Sequence, residues 1–141
     1  MQTIFIKTHR VETTYTQPHF FMLNKGNNSG KPLLKACPNC FVILCNSEEE
    51  KERLYWLIMG LWQSKAFYPY LKGSVISFIS INDARNCIIN GCQIAATDNI
   101  GFEESVKQLH AIHRLEQQYK QNLMLIQEAK KILFYRYMQK K

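Results

Sequence analysis

From Phe102 to Lys140 the sequence contains neither proline nor glycine. Nothing in that stretch forces a helix to end. Glu103 and Glu104 open it, and Lys130, Lys131, Arg136, Lys140 and Lys141 close it. That is the charge order a helix dipole favours. Leu109, Ile112, Leu115 or Glu116, Tyr119, Leu123, Ile126, Lys130, Leu133 and Tyr137 recur at near-heptad spacing. One helix of about 35 residues would be about 50 Å long, more than a chain of this size can cover by itself. Part of it is expected to pack on a partner, a second copy being the first choice. The alternative is a break into two helices folded back on the core.

The remaining residues fit one domain, with enough apolar content to bury a core without staples. Thr3 to Lys7, Phe20 to Leu23 and Phe41 to Cys45 read as strands. Asn24 to Pro32, rich in Gly and Asn, reads as a loop, and Pro38-Asn39 as a turn. Ser47 with Glu50 forms the S-x-x-E capping box of a helix. Leu54, Leu57, Ile58, Leu61 and Trp62 share a face of that helix. It should end near Phe67, because Pro69 disfavours helical backbone at Tyr68. Val75 to Ile81 alternates as a strand, and Asn82 or Ser80 caps a short helix through Ile88 and Ile89. Asn90-Gly91 and Asp98 to Gly101 read as turns. The expected fold is α+β: a small mixed or antiparallel sheet packed by helices, with a long C-terminal helix. Residues 1–101 form the α+β domain and 102–141 the helix, within one structural unit.

The formal charge is +7. That surplus favours a polyanionic partner and excludes a DNA mimic, which needs a carboxylate-rich surface. Met1 to Lys7 lacks the order of a signal peptide, and the longest apolar run, Leu54 to Trp62, is far short of the about 20 residues that span a bilayer. A cytoplasmic protein with no membrane partner is expected. The five cysteines are an odd count, which suits free thiols.

Cys37-Pro38-Asn39-Cys40 is a lone C-x-x-C. Structural zinc needs four ligands, and the completions are Cys87 with Cys92 or His110 with His113. The plainer reading makes these core thiols and a solvated histidine pair. A thioredoxin-like role needs the motif to open a helix, and here it opens a strand. Gly26 to Lys31 fails as a P-loop: three residues separate its glycines where four are needed, and Pro32 follows the lysine. No nucleophile, base or carboxylate pair stands out, so no enzyme, catalytic residue, metal or cofactor is expected.

Two stretches suit nucleic acid. Lys25, Asn27, Asn28, Ser29 and Lys31 place donors on a flexible loop. Lys65, Lys72, Ser74 and Arg85 flank the centre of the chain, with Phe67, Tyr68 and Tyr70 among them. The plainer reading makes the aromatics core and the lysines solvated.

The string Leu54 to Ile89 resembles the distal half of a target-recognition domain from type I restriction-modification specificity subunits. The matching residues are Tyr55-Trp56, Ser64, Phe67, Gly73-Ser74, Val75 to Ser80, and Asp83 to Asn86 with Ile88 and Ile89. Phe41 to Leu44 resembles the strand after that family's Gly-Asp turn, although Asn39-Cys40 stands in place of the turn. Gly101 to Ser105 matches the joint before its long helix, without the prolines. The resemblance implies a half-subunit that recognises double-stranded DNA without catalysis and forms a homodimer through its helix. The chain is also similar to short proteins of Bacteroides-like bacteria, a likeness that implies no function. The alternative is a small accessory module that binds a larger protein partner and no nucleic acid.

Overall fold

A computed structural model describes residues 3–140; Met1, Gln2 and Lys141, used above for the leader and the final charge run, lie outside the described residues. The chain divides into a body ending at Val106 and a second unit from Lys107.

The body is α+β. Four strands, β1 (Phe5–Thr8), β2 (His19–Leu23), β3 (Pro32–Leu33) and β4 (Cys40–Leu44), form a sheet in the order β1-β4-β2-β3. Every pairing is antiparallel. Register sets the two faces. Ile6 lies opposite Ile43, which lies opposite Phe20, and all three are buried. Lys7, Val42 and Phe21 line up on the other face. Pro32 opens edge strand β3, a place where a missing N–H does little harm.

Helices α1 (Glu48–Gln63) and α2 (Ile81–Thr97) cover the first face. Their Leu54, Ile58, Ala84 and Ile88 join Ile6, Phe20, Met22 and Ile43 in the main core. On the second face Phe21, Cys40 and Val42 are covered by Tyr15, Leu33, Cys37 and Leu44. Rings of His9, Tyr15 and His19 pack around Phe21 there.

The capping box of α1 is present: Ser47 Oγ accepts from the Glu50 amide at 3.1 Å. The Glu50 carboxylate accepts from the Asn46 amide at 2.6 Å. The helix stops at Gln63, earlier than expected, in a Schellman turn. The Ala66 amide donates to Leu61 O and the Lys65 amide to Trp62 O. Lys65 occupies the left-handed position, with φ +62°. A short 3-10 turn, Tyr68–Tyr70, absorbs Pro69.

Three expectations need correction. The strand expected over Val75 to Ile81 is a loop up to Ser80, with Ile81 opening α2: Lys72 and Phe78 exchange backbone hydrogen bonds of 2.9 and 2.8 Å, closing residues 73–77 into a tight excursion. Val75 is 94% exposed, and only Ile79 is buried. Asn90-Gly91 lies inside α2, which Ser80 caps by accepting from the Asp83 amide. A Cβ on Gly91 would stand 3.1 Å from Leu61 Cδ1, so this glycine permits the close crossing of α1 and α2. Asn99 to Gly101 belong to α3 (Asn99–Gln139), a helix of 41 residues. Asp98 alone separates α2 from α3, its carboxylate accepting from the Gly101 amide at 3.0 Å.

In the second unit, α3 exposes Ile112, Tyr119, Leu123, Ile126, Leu133 and Tyr137. No helix among the described residues is long and apolar enough to cross a membrane.

Candidate functional site

The loop after β2 and the segment after α1 meet. Asn27, Asn28 and Ser29 line one wall of a cleft of about 270 Å³, and Trp62, Gln63, Lys65, Phe67, Tyr68 and Leu71 line the rest. Gly30 makes the meeting possible. It holds φ +103°, and a Cβ there would strike the ring of Phe67, with Cγ at 2.7 Å. Phe67 is fully buried. The two walls are therefore locked by a ring lying flush on bare backbone.

Cations sit on aromatic rings at this rim. Lys31 Nζ lies 5.1 Å from the centre of the Trp62 ring, and Lys65 Nζ lies 5.9 Å from that of Tyr68. Tyr68 is 63% exposed. The side chains of Asn27 and Asn28 are exposed, and Asn27 Oδ1 accepts from Ser77 Oγ at 3.3 Å. Ser29 is buried, and its hydroxyl donates to Gly26 O at 2.6 Å, so it shapes the loop.

Lys65 carries a further cost. A side chain in left-handed helical backbone is disfavoured by roughly 1–2 kcal/mol, and glycine is the usual occupant of this place in a Schellman turn. Strained residues held by their surroundings concentrate where a side chain is used.

The other residues singled out from the sequence lie elsewhere. Lys25 borders a shallow depression with Asn24, Phe78 and Ile81. Lys72 pairs with Asp83 at 3.2 Å. The Ser80 hydroxyl and the Lys72 ammonium hold the Asp83 carboxyl below its usual value of 3.8. Arg85 donates to Ile6 O at 3.3 Å and Asn82 Oδ1 at 3.1 Å, tying α2 to β1. Ser74 stands exposed in the loop of residues 73–77. Trp62 and Gln63 were missed as cleft residues. Trp62 falls on the apolar stripe of α1 and reads as core, yet it stands at the last turn, where the stripe runs past the sheet. Of the aromatics among the lysines, Phe67 is core, whereas Tyr68 and Tyr70 are exposed.

Cys37 and Cys40 lie together, Cys40 Sγ donating to Cys37 O at 3.1 Å. Burial pushes the Cys40 thiol up, and Cys45 is pushed up to about 11. Among the described residues, no three His, Cys, Asp or Glu side chains are grouped so as to hold a metal ion.

A family model, described as a family of unknown function (DUF6943), matches residues 6–136. The chain belongs to that family. No curated protein matches the chain, nor does any solved structure.

Proposed function

We propose that this member of the family is a non-enzymatic protein that binds double-stranded DNA through the cleft between the β2–β3 loop and the end of α1. The observation that carries the reading is the convergence of Asn27, Asn28 and Lys65 on one cleft, with Lys65 seated on Tyr68 and Lys31 on Trp62, two of the lining aromatics. Ammonium groups supply phosphate contacts, and exposed asparagine amides suit base edges. The net charge of +7 adds a long-range attraction. Lys25 lies outside the cleft, on a separate depression, as an exposed cation that can add a phosphate contact of its own, whereas Lys72 and Arg85 are engaged within the fold. The likeness to a target-recognition domain points the same way through Ser64, Phe67 and Gly73-Ser74, although the strand it implied at Val75 is a loop.

The test is a fluorescence-anisotropy titration against a mixed-sequence duplex at about 50 and 200 mM salt. Three phosphate contacts, one each from Lys25, Lys31 and Lys65, give a loss of affinity of roughly 40-fold across that range. Lys31→Ala and Lys65→Ala should each lower the salt slope by about 1, and Lys72→Ala by less. Binding that ignores salt, or no binding at 50 mM, would sink the reading.

A second reading is favoured by the exposed apolar side chains of α3: a protein-interaction module with no nucleic-acid activity. Under it, the same lysine variants leave partner capture unchanged.

A further inference from the structure

The seam of α3 from Leu109 to Tyr137 runs strictly three-then-four. Leu109, Glu116, Leu123, Lys130 and Tyr137 occupy one heptad position, and Ile112, Tyr119, Ile126 and Leu133 the other. Past Leu109 all of these side chains are exposed. A stripe of this length left to water is the mark of a helix with a partner. The two charges are what identify the partner. Glu116 and Lys130 interrupt the apolar seam at the same heptad position, two heptads apart, with opposite sign.

We infer that α3 pairs with the α3 of a second copy of this chain, in antiparallel orientation, about a two-fold axis between Tyr119 and Leu123. In that arrangement the layers join Leu109 to Leu133 of the partner subunit, Ile112 to the partner's Lys130, Glu116 to the partner's Ile126, and Tyr119 to the partner's Leu123. Glu116 and the partner's Lys130 then fall in adjacent layers, about 6 Å apart along the axis, within reach of two long side chains. The two-fold makes the same pair at the other end. A parallel pair in register instead sets glutamate against glutamate and lysine against lysine. One arrangement gains two ion pairs, and the other suffers two like-charge contacts in a partly desolvated seam. Polar groups at core positions commonly fix register and orientation in this way.

The helix carries a cationic surplus that opposes self-association. Lys107, Arg114 and Lys131 fall on the side away from the seam, where salt screens their repulsion, while Lys120 and Arg136 flank the seam and set the repulsion that pairing must overcome. In the single chain Glu116 is held on its own helix by Lys120 at 3.6 Å, so it exchanges one surface ion pair for another on pairing. The inference stands apart from DNA binding, which needs only the cleft of the body.

Sedimentation equilibrium of the full chain tests it. The wild-type protein should dimerise with a Kd in the micromolar range or tighter. Glu116→Lys and Lys130→Glu each convert both cross-chain ion pairs into repulsions, and each should raise Kd about tenfold or more. The double variant Glu116→Lys with Lys130→Glu restores both pairs, and should return Kd to within about threefold of wild type. Helix content by circular dichroism checks that the variants fold. A parallel dimer would leave both single variants near wild type, because like charges oppose like before and after. That result overturns the inference. So does a wild-type chain still monomeric at about 100 µM, whichever acidic helix or anionic surface then covers the face.

Discussion

Gly30 and Gly26 sit four residues apart in one loop, and their alanine variants separate two kinds of cost. Gly26 has φ +94° with nothing within 4 Å of where a Cβ would stand. Gly26→Ala therefore carries only the backbone penalty, about 1–2 kcal/mol. Gly30 has φ +103° and the same penalty, but its new methyl would also collide with Phe67. That ring is 1% exposed and cannot swing into solvent. Forcing a methyl into a filled core adds about 1–3 kcal/mol. Gly30→Ala should then lose about 3–4 kcal/mol in all, near 10 °C in Tm at about 3 °C per kcal/mol for a chain of this size, against about 4 °C for Gly26→Ala. Urea melts followed by circular dichroism give the two free-energy losses, and thermal melts the two Tm shifts. Phe67→Leu in the Gly30→Ala background should recover part of the loss, because the two changes meet at one contact. Equal losses for the two glycine variants would refute the argument that Phe67 locks the loop to the end of α1.

Three further outcomes follow from the same geometry. Lys65→Gly relieves the left-handed backbone and should stabilise the chain by about 1 kcal/mol while weakening duplex binding severalfold, a trade visible by comparing Tm with anisotropy. Asp83, held below 3.8 by Ser80 and Lys72, contributes stability that is present above the unfolded pKa and lost as pH falls through the folded one; Asp83→Asn should flatten the decline below about pH 4 in acid melts. Cys45, raised to about 11 by burial, keeps its proton in the folded chain where the unfolded chain has lost it. Stability should fall as pH rises from about 9 to 11, and an aromatic disulfide reagent at neutral pH should label half-buried Cys37 well before Cys45.

The elements legible in the sequence were those whose cause is local. The Ser47–Glu50 box, the alternation around Ile4 and Ile6, the apolar run at Phe41 and the charge order of α3 each carry their own signal. Val75 to Ser80 has the alternation of a strand but forms only isolated bridges; Phe78 bridges Lys25 and Lys72, and the Ser77 carbonyl and Ile79 amide are taken by the Gly26 amide and the Asn24 carbonyl. Gly91 looks like a turn because sequence shows its flexibility and hides its smallness, and it is the smallness that Leu61 and Leu57 require. The lysines and asparagines of the cleft were visible as donors. That Lys65 and the Trp62 ring under Lys31 line the same cleft as Asn27 and Asn28 was not, because the contact joining the two walls, Phe67 on Gly30, spans 37 positions.

Phe67 and Lys65 are separated by one residue, yet one serves the packing and the other faces the cleft. The ring on Gly30 is needed for any chain that folds this way. The ammonium two positions earlier is tolerated only while something makes its awkward backbone worthwhile. If the cleft holds a ligand as proposed, descendants that abandon it should drift first at Lys65, toward glycine or asparagine, and at the exposed Tyr68, with Gly30 and Phe67 unchanged. Descendants that acquire a new ligand can rewrite the rim residue by residue on an intact hinge. Across the family, the residue at position 65 would then record which lineages still bind and which only fold.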